Sequence, residues 1–273
     1  MWAAIALVAA ATEAGAHAAP DERIVALTLA IQRHPTDGLL WIERADEYIE
    51  DGDPVAALHD LDRAATLAPH RAEVPLERGA ALLLLGAATE AERQLTIAIA
   101  RDSRSEPAHL LRARARLALD RPRDAAADLE RSIQLSDRPS PDQFLQWSRA
   151  LANPEIGRID EALAALDRGL AALGESAPLV EEAVRLECAR GAWDDALERI
   201  DRHPAAWGSK AALHARRGDV LRAARREIEA QAEYSAALAE LEAGPRGRAA
   251  SAASLETRLH VALRQGRPAA VAP

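Results

Sequence analysis

Residues 38–71 read GLLWIERADEYIEDGDPVAALHDLDRAATLAPHR, and this stretch decides the fold. Its apolar and small residues recur at spacings of three, four and seven, which places them on one face of an α-helix. Two such faces are separated by Asp51-Gly52-Asp53, where the glycine permits the chain to reverse. The expected product is a hairpin of two helices. The pattern then repeats along the chain. Ala57, Ala91 and Ala125 lie 34 residues apart, Ala162 follows 37 later, and Ala196 and Ala230 come at 34 each. Four residues beyond each alanine stands a bulkier group: Leu61, Leu95, Leu129, Leu166, Ile200 and Tyr234. Three further on the residue is small, Ala64, Ala98, Ser132, Gly169 and Ala237, with His203 as the exception. Ala45, Gly79, Ala113 and Gly218 precede their alanines by twelve, and Gly52, Gly86, Gly157 and Gly191 precede theirs by five. Small residues let the two helices of a hairpin approach closely. The apolar face of each hairpin stays exposed until the next one stacks on it.

The unit resembles the tetratricopeptide repeat. Residues 38–71 carry Trp41, Ala45, Tyr48, Ala57, Leu61, Ala64 and Pro69 at the spacing of that family. The resemblance implies an all-α fold, a right-handed α-solenoid of stacked helical hairpins. It also divides the chain. Residues 19–37 are expected to be the second helix of a partial first repeat, 38–139 three full units, 140–176 a fourth with an insertion, and 177–244 two more. Residues 245–266, with the apolar stripe Leu255, Leu259, Ala262 and Leu263, are expected to form a capping helix, and 267–273 a disordered tail. The fourth unit has three extra residues. One register aligns Arg149-Ala150 with Arg44-Ala45 and puts the insertion in Arg138-Pro139-Ser140-Pro141, at the cost of Pro154 ending the first helix early. The other puts Ser148 at the small position and lengthens the turn around residues 153–157. The first is preferred here.

Composition agrees with this architecture. About a quarter of the 273 residues are alanine, the best helix former, while phenylalanine and methionine occur once each. Lys210 and Asn153 are the only lysine and the only asparagine, so the basic residues are almost all arginine. A net charge of −9 argues against nucleic acid as a partner. The apolar run Met1–Ala11 is too short to span a bilayer but suits the core of a signal peptide, and Ala14-Gly15-Ala16 and Ala16-His17-Ala18 fit its cleavage pattern. Residues 1–18 are read as a signal peptide, which places the mature chain in the periplasm or outside a bacterial cell, without a membrane span. The alternative is a cytoplasmic protein with an alanine-rich extension.

No constellation for catalysis, cofactor or metal emerges. A phosphate-binding loop needs a Gly-Lys pair, and Lys210 follows Ser209. The eight histidines are scattered and read as surface residues. Cys188 reads as a small buried hydrophobe on a helix. Asp194-Asp195 suits the start of a helix, where acidic groups meet the positive end of the dipole. The recurring Arg44, Arg78, Arg112 and Arg217 are expected to pack their stems between helices while their heads reach carboxylates such as Glu43, Glu77 or Asp62. The chain is therefore read as a non-enzymatic scaffold, with assembly by oligomerisation as the alternative.

By resemblance, a protein or peptide segment is expected in a concave groove lined by the first helix of each unit. Register assigns Leu39, Ile42, Asp46 and Ile49 from the first full unit. The second gives Leu76, Ala80 and Leu83, the third Leu110, Arg114 and Leu117. The fourth gives Phe144, Trp147 and Leu151, the fifth Glu181 and Arg185, and the sixth Asp219 and Arg222. Such an apolar groove suits an amphipathic helix or extended peptide, with Trp147 as an anchor. Trp147→Ala and Leu110→Ala are then expected to weaken binding without much loss of melting temperature. The chaperone-binding members of the family grip a C-terminal carboxylate with lysine and asparagine side chains, and one of each is too few for that.

Overall fold

A computed structural model describes residues 20–243, 257, 258, 260–262 and 264. The expected signal peptide and tail lie outside the described residues, as does most of the expected capping helix. The described residues are helical and turn, with no strand. The chain divides into two compact units, Met1–Arg138 and Pro139–Pro273.

In the first unit α1 (Pro20–Arg33) packs on the first of three hairpins. These are α2 (Gly38–Glu50) with α3 (Pro54–Leu67), α4 (Glu73–Leu84) with α5 (Ala88–Arg101), and α6 (Glu106–Ala118) with α7 (Pro122–Leu135). In the second unit α8 (Pro141–Ala152) pairs with α9 (Ile159–Leu173), α10 (Ala177–Ala189) with α11 (Trp193–Arg202), and α12 (Lys210–Ala223) with α13 (Glu227–Ala243). A short 3-10 turn, Pro204–Trp207, joins α11 to α12. Helix starts follow local chemistry. Asp37, Asp53, Ser105, Ser140 and Ser209 each accept a backbone N–H of the first turn, and prolines sit where an N–H would be orphaned in any case.

The core lies where the repeat puts it. Ala57, Leu61 and Ala64 of α3 are fully buried, and the same three positions are buried in α5, α7 and α9. Close approach accounts for the small residues. A Cβ added to Gly79 would stand 2.4 Å from Leu95 Cγ, and one added to Gly218 would stand 2.5 Å from Tyr234 Cε1. In both pairs the bulky residue lies sixteen later in sequence. The hairpin turns share a left-handed residue five before each alanine. It is Gly52, Gly86, Gly157 or Gly191 in four turns, but Asp120 (φ 55°) and Arg225 (φ 62°) in the others. In α1 the equivalents Leu27 and Ala30 are only half-buried, and Val25 and Leu29 are 59% and 47% exposed.

The fourth hairpin corrects the preferred register. Its helix starts on time, locked by a capping box in which Ser140 and Gln143 satisfy each other's backbone N–H groups. The hairpin turn 153–158 has six residues where the other five turns have three. Pro154 ends the helix as the sequence warned, and Asn153 turns to extended backbone (ψ 136°) ahead of it. The loop is closed by Gly157 N–H to Asn153 O at 2.8 Å and Arg158 N–H to Leu151 O at 3.0 Å. Ser148 is then the eighth residue of α8, as Ala45 is of α2 and Ala113 of α6, and it is fully buried.

Candidate functional site

The recurring arginines are structural. Arg44 donates from Nε and Nη2 to Asp60 at 2.6 and 2.8 Å, and from Nη1 to Thr28 Oγ1 at 2.9 Å. Arg112 repeats this with Asp128 at 2.8 and 2.7 Å and Thr96 at 3.4 Å. Arg217 bonds Glu233 at 2.8 Å and also Asp201. Arg78 reaches Asp62. Every one of these partners lies sixteen residues before or after its arginine. Each guanidinium thus ties the second helix of its own hairpin, of the preceding one, or of both. Asp62 was among the expected partners, but Glu43 and Glu77 are not bonded to the arginines. The sixteen-residue spacing stands in the sequence, but nothing there singles it out. Asp128 is a hub, since it also accepts from Arg116 Nη1 at 2.7 Å and lies 3.3 Å from His109 Nδ1. His109 is 7% exposed, so reading all the histidines as surface residues is corrected: its ring fills the space beside that carboxylate. Asp194 and Asp195 open α11 as expected and pair with Arg226 and Arg190.

The first helices of the hairpins present the remaining face. In the first unit Leu76, Leu83, Leu110 and Leu117 are half-buried, and Asp46 and Arg114 are exposed. Ile42 is only 5% exposed and packs with Ala64 and Val74, so it is core and not groove surface. On α2 and α4 this face is acidic. Burial, then the charges of Asp46 and Glu73, push the Glu77 carboxyl up to about 7. Burial also raises Glu43 and Asp46, with Asp37 and Glu50 respectively as neighbours of like charge.

In the second unit α8, α10 and α12 enclose a groove of about 410 Å³. Leu145, Val184, Cys188, Trp207 and Val220 make its apolar floor, and Arg149, Glu181, Arg185, Arg216 and Asp219 are among its charged lining. Three of the residues assigned by register, Glu181, Arg185 and Asp219, are brought together here. Arg222 is exposed on α12, where its Nη1 donates to Arg264 O at 3.2 Å. The reading of Phe144, Trp147 and Leu151 as groove residues is corrected. They are 2%, 6% and 4% exposed, Phe144 lies against Gly169, and Arg168 stacks 4.7 Å over the Trp147 ring. The lengthened turn shifts the register, so Leu145 and Arg149 take the groove positions and Trp147 takes the place that Arg44 and Arg112 hold in their helices. Cys188 is half-buried in the groove, and burial with the neighbouring Glu187 charge raises its thiol.

Glu182 lies beneath the rim, its side chain 6% exposed. It accepts Arg149 Nε at 3.2 Å, Arg185 Nε at 3.0 Å and Arg185 Nη2 at 2.8 Å. Burial alone would raise its carboxyl, but the hydrogen bonds from Arg185 and Arg149 hold it below the ordinary value. Arg216 stacks 5.4 Å over Trp207 and donates to Glu181 at 3.2 Å. Asp219 accepts Tyr234 Oη–H at 3.0 Å and lies 2.9 Å from His260 Nε2. Fully buried Val261 joins the same core cluster as Tyr234, which anchors the described part of the C-terminal segment. Among the described residues no group of three or more His, Cys, Asp or Glu is arranged to hold a metal ion. No described helix is long and apolar enough to cross a membrane.

No protein-family model matches the sequence, and no curated protein does. Solved structures do match the fold. YrrB, described as a TPR protein with an unusual peptide-binding site, is 20% identical over 69% of this chain and 95% of its own, with a TM-score of 0.56. PilW, a type IV pilus biogenesis factor, is 18% identical over 76% of this chain and 94% of its own, at 0.54. A tetratricopeptide repeat protein from Parabacteroides merdae is 15% identical over 89% of this chain and 92% of its own, at 0.53. The fold of this chain is that of the tetratricopeptide-repeat proteins.

Proposed function

We propose that the chain is a non-catalytic scaffold that binds a segment of another protein along the first helices of its hairpins. The observation that carries this reading is the groove between α8, α10 and α12, with an apolar floor and a charged rim. That combination suits a peptide which buries side chains on the floor and is oriented by the rim. A described peptide-binding site in the similarly folded YrrB supports the same use of the fold. The proposal includes export, resting on the apolar run Met1–Ala11 and the small residues that follow. Affinity capture from the envelope fraction, run in parallel with Leu145→Glu, tests the groove. A partner retained equally by a Leu145→Glu protein of unchanged melting temperature sinks the assignment. Sequencing the mature N-terminus tests export, and an intact Met1 removes it.

A second reading, assembly through the outer face of α1, is favoured by the side chains exposed on it. Val25 and Leu29 are exposed there, and the positions that are fully buried in α3 and α5 are only half-covered. Light scattering of the purified chain discriminates, since a monomer at all concentrations excludes it.

A further inference from the structure

We infer that the groove of the second unit selects segments in which an acidic side chain is flanked by apolar ones, and that Arg149 and Arg185 receive the carboxylate. The inference rests on the groove reading above and adds the chemistry of the partner.

The groove holds guanidinium donors that its own carboxylates leave unused. The groove carries three carboxylates, and each is already engaged. Glu181 takes Arg216, Asp219 takes Tyr234 and His260, and Glu182 is shared by two arginines. Two guanidiniums on one carboxylate leave a local excess of one positive charge. Arg149 and Arg185 are 60% and 58% exposed even so. Arg149 uses only its Nε, so both terminal amino groups are without a partner among the described residues, and Arg185 has its Nη1 to spare. Their buried anchor fixes the pair. Glu182 holds both Nε atoms, which orients the planes of the two heads and lowers the entropy lost when an anion arrives. A carboxylate is the ligand that forked guanidinium donors fit best among ordinary side chains.

Charge complementarity sets the contrast with the first unit. There the equivalent helices carry Glu43 and Asp46 on α2 and Glu77 on α4, with Arg114 on α6 as a single exposed cation rather than a pair sharing one buried carboxylate. In a chain of net charge −9 the arginine pair is thus a local exception. The apolar floor of Leu145, Cys188, Trp207 and Val220 lies in the same groove, so a flanking Leu- or Phe-like side chain has somewhere to go. The shortage of lysine and asparagine excludes a grip built from those residues, but not one built from arginine.

The test is selection from a random dodecapeptide library displayed with a blocked C-terminus, so that only side-chain carboxylates are read. The baits are the full chain, Arg149→Gln and Leu145→Glu. Arg185 still pairs with Glu182 in Arg149→Gln, so no buried charge is stranded. The expected result is enrichment of Asp or Glu next to apolar residues, lost with Arg149→Gln. A synthesised winner should bind the full chain about tenfold more tightly than its Asn or Gln counterpart. Peptides without acidic bias, or an acidic bias unchanged by Arg149→Gln, overturn the inference. If such peptides are nonetheless lost with Leu145→Glu, the groove reading survives. Peptides indifferent to both variants overturn the two together. Release of the winner by inorganic phosphate but not by equal acetate reassigns the pair to a phosphorylated ligand.

Discussion

Replacing Glu77 with glutamine should make the protein less sensitive to pH, and the structure gives the size of the effect. Glu77 lies half-buried on α4, with Asp46 and Glu73 near enough to oppose its ionisation. Its carboxyl is raised from 4.5 to about 7. The folded chain therefore holds this proton more tightly than the unfolded chain does. Stability from this group is complete below pH 4.5 and is lost as pH rises through 7. The whole shift corresponds to about 3 kcal/mol at 1.36 kcal/mol per unit. Screening by the solvent that reaches the site brings the expected difference to about 2 kcal/mol. Urea titrations of wild type and Glu77→Gln at several pH values from 4 to 8 measure it. The two proteins should have similar stability at pH 4, and the variant should be more stable by about 2 kcal/mol at pH 8. Asp46→Asn should close part of that gap by removing the larger of the two opposing charges. A gap that stays constant with pH, or opens toward acid, would refute the reasoning.

Three other outcomes follow from single contacts. Asp128→Ala strands Arg112, whose only carboxylate it is, and takes one of two carboxylates from Arg116, so it should cost about 3–5 kcal/mol in chemical denaturation, whereas Asp62→Ala, at an exposed pair, should cost no more than about 1 kcal/mol. Trp147→Ala should lower the melting temperature steeply, by a loss of about 3–5 kcal/mol, because the ring is 6% exposed, and a neutral effect would restore it to the groove. Arg225→Gly should stabilise the chain by about 0.5–1 kcal/mol, since it relieves a left-handed residue at the place where four other turns have glycine; calorimetry showing no gain counts against strain at that turn.

The hairpins were legible because their determinants are local and repeat. The spacing of Ala57 and Leu61 defines a helix face, Gly52 a reversal, and Ala45 a place where two helices must touch. Repetition in six units turned weak local preferences into a strong one. Even the arginine ties were written at a fixed interval of sixteen, though only their partners in space reveal it. The fourth unit was less legible. Three inserted residues satisfy the period equally well before or after α8. The later turn is taken because the Ser140–Gln143 box starts the helix in place and Pro154 stops it, local signals that the repeat alignment outweighed.

By itself the sequence determined the helices and their pairing, since these depend on residue type and spacing along the chain. Only the tertiary structure decided which residues face the groove. Moving the three-residue insertion rotates every side chain of α8 about the helix axis, because a helix turns by 100° per residue. That rotation buries Phe144 and Trp147 and sets Arg149 beside Arg185 over Glu182.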